Sequence, residues 1–322
     1  MKRITALFLT LILMLGILPL ATFAATTKTY TMLKPYDLYD IDMEDRPEKG
    51  FWHQLSVKRK DVKTVTFLDS TSGAPRSVLD FSADGDMSVI GWIKGGDVFV
   101  AADGKIALNE TVSYLFAGMK NLEEVNFGGA VDTSKVKYMD HMFQGCEKLE
   151  TLDLRDFDTS SAVDMTAMFY GCKRLDDLDV SSFDTSRVKS MKNMFTSCTT
   201  MELLDLSSFR TPALTDMKAM FDSCRNLEYV DMKNFNTAKV TNMSNLFGGC
   251  ASLEDVDLSG FNTAKTTNMN NMFYDCKSLT SLDLSSFSSK RLQCTTHMFT
   301  GIGTLDTFVC TDTVILKAYR TR

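Results

Sequence analysis

The chain is poor in the residues that most often carry chemistry. Of its 322 residues only three are histidine, His53, His141 and His297, far apart in sequence, which leaves little material for a histidine metal site or a histidine-centred relay. There are five prolines and two tryptophans, and no cysteine precedes Cys146. The missing N-terminal cysteine excludes a lipobox. Basic residues do not predominate: 35 Lys and Arg against 41 Asp and Glu leave a net charge of −6, the wrong sign for a nucleic-acid footprint. Beyond the N-terminal segment no apolar run is long enough to span a membrane. No Gly-rich phosphate loop and no Ser/His/Asp order stands out, so the chain is not expected to be an enzyme.

What is present begins with an address. Lys2 and Arg3 precede an apolar run from Ile4 to Leu20, followed by the small-residue stretch around Ala24 and Ala25. This is the layout of a secretory signal peptide over residues 1–25, with an uncleaved anchor as the competing reading. The mature chain is expected to carry no transmembrane span and to be secreted, or held at the cell surface by non-covalent contacts.

Most of the remainder is a repeat. Cys146, Cys172, Cys198, Cys224, Cys250 and Cys276 are each 26 residues apart, and the same step carries Phe143 through Phe299, Phe157 through Phe287 and Met139 through Met269. A degenerate copy near Leu115–Phe127 sits one residue out of step, and the last copy has Ile302 in place of cysteine, as expected of caps on a stacked array. Within one unit, Leu175–Phe183 reads L-x-x-L-x-L-x-x-F, a short strand with one buried face. Asp184-Thr185-Ser186 supplies N-cap side chains, after which Val188, Met191, Met194 and Phe195 share one face of a short helix. Gly145, Gly171 and Gly249 fall where such a helix ends and positive φ is favoured. Strand, turn and helix in 26 residues predict an α/β fold: a leucine-rich-repeat solenoid of about eight repeats over residues 115–310, its strands forming a parallel concave sheet.

The motif Met-Phe-x-Gly-Cys-x-x-Leu-x-x-Leu-Asp-Leu-Ser-x-Phe-Asp-Thr-Ser, visible from Met168 to Ser186, resembles the BspA-like leucine-rich-repeat proteins of bacterial surfaces. The likeness covers about residues 115–310, and Ser82–Trp92 looks like the segment that precedes such arrays. The resemblance implies an extracellular binding or adhesion role.

Residues 26–114 are expected to form a small β-rich N-terminal cap. Val62–Leu68 alternates, Ser88–Ile93 and Asp97–Ala101 flank Gly95-Gly96, and Asp103-Gly104 marks a second tight turn. Residues 311–322 are read as a C-terminal tail.

Equal spacing argues against disulfides, because in-register cysteines lie about 4.8 Å apart whereas bridged Cβ atoms prefer about 3.5–4.5 Å. A buried ladder of free thiols is expected. The outward strand positions are heavily acidic. Asp153, Asp179, Asp205, Asp231, Asp257 and Asp283 form one file, and Glu150, Asp176, Glu202, Glu228 and Glu254 a second beside it. Leu203, Tyr229 and Arg155 interrupt the pattern. Neighbouring charges about 4.8 Å apart repel by about 1 kcal/mol in water and about 3 kcal/mol at an effective dielectric of 20. Solvent and serine hydroxyls, a Ca2+ ion held by Asp179, Asp205 and Asp231, or a basic partner are the three ways to offset this. The functional expectation is protein–protein interaction or adhesion through this face, using the aspartate file with Glu202, Glu228 and Tyr229 to hold an extracellular protein or surface macromolecule. The alternative is a structural, self-associating or wall-associated component with a cation-screened sheet.

Overall fold

The computed structural model describes residues 28–32 and 57–322; the signal-peptide segment 1–25, Trp52 and His53 lie outside the described residues. From Tyr138 onward the backbone returns upon itself every 26 residues. Tyr138 bridges Asp164 in parallel, Asp164 bridges Ser190, and the series continues through Asp216, Asn242 and Asn268 to Cys294. Thr111 joins it at the N-terminal end. The strands are β1 (Thr29–Thr31), β2 (Thr64–Leu68), β3 (Leu79–Asp80), β4 (Ile90–Lys94), β5 (Asp97–Ala101), β6 (Lys105–Ala107), β7 (Glu124–Asn126), β8 (Val131–Asp132), β9 (Leu203–Asp205), β10 (Tyr229–Asp231), β11 (Ser281–Asp283) and β12 (Thr307–Val309).

The repeated apolar files fill the interior between the coils. Phe116, Phe143, Phe169, Phe195, Phe221, Phe247, Phe273 and Phe299 stack along the array, with centroids 5.1 to 5.9 Å apart and planes within 14° of each other. The second phenylalanine file, Phe157 to Phe287, and the methionine file, Met139 to Met269, are buried along their whole length. Burial of this much apolar surface, at about 25 cal/mol per Å2, is the main force holding coil to coil.

The short helix expected after Thr185 is replaced by turns. Among the described residues the only α-helix is Thr313–Arg320. In the segment after each bridge, alternate amides leave their own coil: Met191, Asn193, Phe195 and Ser197 donate to the carbonyls of Asp216, Lys218, Met220 and Asp222 in the next coil. The intervening amides of Met194, Thr196 and Cys198 donate three residues back. Asn193 and Ser197 both have positive φ, as do Ala167 and Gly171 one coil earlier and Asn245 and Gly249 two coils later. A left-handed residue at every fourth position interrupts any helix. Linked three-residue turns still place Val188, Met191, Met194 and Phe195 inward, so the apolar spacing is the one a helix would give.

The cap and the tail also differ from expectation. Strands β4 and β5 form the hairpin predicted at Gly95-Gly96, both in positive φ. Strand β2, however, lies parallel between β5 and β7, so the cap sheet runs in the order β3-β4-β5-β2-β7 directly into the first coil. Arg59 closes the adjoining corner. Its Nη1 donates to the carbonyls of Tyr114 and Ala117, whereas the equivalent Gln144 carbonyl is met by the Gly118 amide of the preceding coil. At the far end, the C-terminal tail of residues 311–322 contains a helix. Asp312 caps helix α1 (Thr313–Arg320), accepting from the amides of Val314 and Ile315. The helix buries Ile315 and lays Tyr319 on Phe308, centroids 3.9 Å apart.

The six spaced cysteines are buried and free. Each Sγ donates to the carbonyl of a phenylalanine in the coil before, at 3.0 to 3.2 Å. Burial pushes these thiols up, to about 12 at Cys224 and Cys276, and thiolate is the reactive form. Alkylation of the native protein with iodoacetamide, read by mass spectrometry, is therefore expected to modify only the half-exposed Cys294 and Cys310; the other six should react after unfolding. Modification of Cys198 or Cys224 in the native state would contradict the packing.

Candidate binding surface

The acidic positions are built by the corner that ends each short strand. In every unit from Asp153 to Asp283 the aspartate Oδ1 accepts from the amide two residues on, that of Arg155, Ser181, Ser207, Lys233, Ser259 or Ser285, at 2.8 to 3.1 Å. This is an Asx turn, in which a short carboxylate reproduces a backbone turn. The same device turns the other two corners of the coil. Asp158, Asp184, Asn236 and Asn262 hold one, and Asp164, Asp216, Asn242 and Asn268 the other. The aspartate file thus recurs for a reason of folding, and asparagine performs the same turn where the charge is absent.

Hydrogen bonds to the serine side chains and amides hold Asp179, Asp205, Asp257 and Asp283 below the usual carboxylate range. Arg155, donating through Nε and Nη2 as well as its amide, brings Asp153 to about 2. A carboxyl whose folded pKa is depressed contributes stability that is fully present above its unfolded pKa, about 3.9, and is lost as pH falls through the folded value. The melting temperature is therefore expected to be flat above about pH 5 and to fall below about pH 4, with a shallower fall in Asp205→Asn; scanning calorimetry against pH checks both.

The expected continuous sheet is present in pieces. Strands β9 and β10 pair in parallel, β11 pairs β12, and Thr151 bridges Asp177. Asp153, Asp179, Asp205, Asp257, Asp283, Glu202, Glu228 and Tyr229 are all exposed on this face. Asp231 is drawn in, its side chain 18% exposed and ion-paired to Lys233 at 2.8 Å. Glu150 pairs with Arg174 at 3.0 Å, while Glu202, Glu228 and Glu254 take no part in any turn. Where β9 and β10 pair, Leu203 lies directly beside Tyr229. They are 65% and 44% exposed, an apolar step flanked by Glu202, Glu228 and Asp205. Among the described residues no three His, Cys, Asp or Glu side chains converge as a metal site would require, and each file aspartate already commits one oxygen to its turn.

Two features escaped sequence reasoning. The Asp-Thr-Ser motif does not cap a helix: its threonine is a buried lateral link. Thr185 Oγ1 donates to the Arg210 carbonyl at 2.9 Å and accepts from the Arg210 amide at 2.9 Å. Thr133, Thr159, Thr211, Thr237 and Thr263 do the same one coil apart. Its 26-residue recurrence was the available signal. The second is a notch at Gly248, in a file otherwise occupied by Gln144, Tyr170, Thr196, Asp222, Tyr274 and Thr300. His141 is half-buried, stacked on Tyr114 at 4.5 Å and bonded to Asp140 at 3.2 Å, while His297 is exposed.

No helix among the described residues is long and apolar enough to cross a membrane. No curated protein and no solved structure matches the chain. A family model described as "Mycoplasma protein of unknown function, DUF285" matches residues 110–228 and, in a second overlapping match, residues 190–309. The two matches fall on the 26-residue coils and together span more than half of the chain, which therefore belongs to the DUF285 family.

Proposed function

We propose that this protein is a secreted or cell-surface interaction protein, a leucine-rich-repeat solenoid of the BspA-like kind whose helical arm is reduced to turns, and that it binds a basic extracellular protein or surface macromolecule through its acidic face. The observation that carries the reading is the exposed pair Leu203 and Tyr229 among glutamates that serve no turn. The aspartate file has a structural purpose; the glutamates and the apolar pair do not, and an exposed tyrosine beside an aliphatic side chain is a favourable anchor inside a charged rim. The acids steer an oppositely charged partner, so binding weakens as salt rises. The reading assigns no catalytic step to any residue.

The test immobilises extracellular-matrix proteins and microbial surface components and measures retention of the protein at low and high salt. Joint replacement of Asp205, Asp231 and Asp257 by asparagine keeps the Asx turns, as Asn242 and Asn268 show, and removes three charges. Lost binding with only a small fall in melting temperature at neutral pH, together with lost binding in Leu203→Ser, is expected. Retained binding in both variants returns the face to a purely structural role and favours self-association, which size-exclusion chromatography would reveal.

A further inference from the structure

A groove of about 570 Å3 opens on a different side of the coil, along the segment of linked turns. It exists because one side chain is missing. Asp222, Gly248 and Tyr274 occupy equivalent positions in three successive coils, whose stacked cores are 5.5 and 5.9 Å apart at Phe221–Phe247 and Phe247–Phe273. Gly248 therefore leaves a gap one coil wide, floored by backbone, between a carboxylate and a phenol ring. A Cβ added at Gly248 would lie 2.8 Å from Asp222 Oδ1, so the carboxylate leans over the floor of the gap. Gly248 is not among the glycines with positive φ; its backbone does not require glycine.

The groups around the gap have hydrogen-bonding capacity left over. Asp222 is half-buried, and burial holds its carboxyl above the usual range. Its Oδ2 accepts only a long bond from Ser223 Oγ, 3.3 Å, and among the described residues it has no ion-pair partner. At neutral pH an ionised, partly desolvated carboxylate without a cation is a cost to the fold. Beside it, Asn271 Nδ2 donates to Asn245 Oδ1 at 3.0 Å, which fixes two amides with the Asn245 donors and the Asn271 acceptor still to be used. Tyr274, 39% exposed, lines the far side of the gap.

We propose that this groove binds a saccharide, a sugar ring entering the gap at Gly248 with its C–H face on Tyr274 and its hydroxyls on Asp222 and the paired asparagines. Sugars combine an apolar ring face with a rim of hydroxyls that both donate and accept. An aromatic wall opposite a carboxylate, with planar amides to one side, matches that combination. Arg225 and Lys277 line the groove as well, beside Asp222 and Asp275, with Lys277 held 3.9 Å from Asp275, so the lining carries no net charge to hold an anion, while a large apolar ligand would leave the amides unpaired. The site lies apart from the acidic strand face and does not depend on the role proposed for it.

The test applies the fluorescently labelled mature protein to a printed array of mammalian and bacterial-wall oligosaccharides, then titrates retained sugars in solution. Gly248→Thr is the central variant: Thr196 and Thr300 occupy the same position in other coils, and the added Cβ needs only the end of the Asp222 side chain, 2.8 Å away, to rotate aside. It is expected to fill the gap and weaken sugar binding about tenfold or more with little change in melting temperature. Asp222→Asn and Tyr274→Ala are expected to weaken it as well, and the triple asparagine variant of the acidic face to leave it unchanged. If the native protein retains no sugar, or if Gly248→Thr, Asp222→Asn and Tyr274→Ala all bind as it does, the proposal is overturned.

Discussion

Replacing Phe209 by alanine is expected to lower the unfolding free energy by about 3–5 kcal/mol. The ring is fully buried and stacks between Phe183 at 6.4 Å and Phe235 at 5.9 Å. Its removal leaves a cavity in one layer and strips contact from both neighbours. In a stack each coil touches only the next, so a defect at the centre weakens two interfaces while one at an end weakens a single interface. Phe209→Ala should therefore cost more than the same change at Phe287. Urea unfolding followed by tryptophan-independent circular dichroism gives both values, and an unaltered midpoint for Phe209→Ala would mean that this file carries no load.

A comparable loss is expected from a change that removes no volume. Thr211→Val is nearly isosteric, yet it deletes a hydroxyl that donates to the Asn236 carbonyl at 3.2 Å and receives the Asn236 amide at 2.8 Å. Both backbone groups would be left without partners beside a fully buried position. At about 1–3 kcal/mol for each unsatisfied group the two together would cost about 2–6 kcal/mol, and because Asn236 is exposed to solvent the expected destabilisation is in the lower part of that range, about 2–4 kcal/mol. Thr211→Ser keeps the hydroxyl and should cost only about 1 kcal/mol for the lost methyl. Equal stability of the valine and serine variants would show that the bridging hydroxyl is dispensable.

The threonine and phenylalanine files also mark how far the sequence could be read. Period and burial were legible because side-chain identity at a fixed spacing reports directly on what faces the core: every cysteine, methionine and phenylalanine file is inside. Backbone conformation was not. A helix and a chain of three-residue turns both bring Met191, Met194 and Phe195 to one side, and the difference lies in where the amides of Asn193 and Ser197 point, which no side-chain pattern records. Small hints existed. Asn193, Asn245 and Asn271 recur at a position of positive φ, where asparagine is tolerated better than most residues, but Ala167 and Ala219 at the same place obscured the signal. The acidic face was legible as a surface; the structural use of half of it was not, because an aspartate two residues before a serine looks the same whether it turns the chain or greets a partner. The gap at Gly248 is a single missing side chain and becomes visible only when the coils are set side by side.

The sideways bonds of the linked turns have an electrical consequence. Met191, Asn193, Phe195 and Ser197 all point their N–H groups toward the following coil, and the carbonyls that receive them all face back toward the preceding one. Coil after coil, these peptide units add head to tail along the stacking direction, as they do along the axis of an α-helix. This wall of the array is thus polarised, its negative pole toward the N-terminal end and its positive pole toward the other. The guanidinium of Arg59 rests on that negative end, against the carbonyl of Ala117, which is the counterpart of Gln144 in the series, and beside it that of Tyr114. A cation at the opposite end would meet the reverse field.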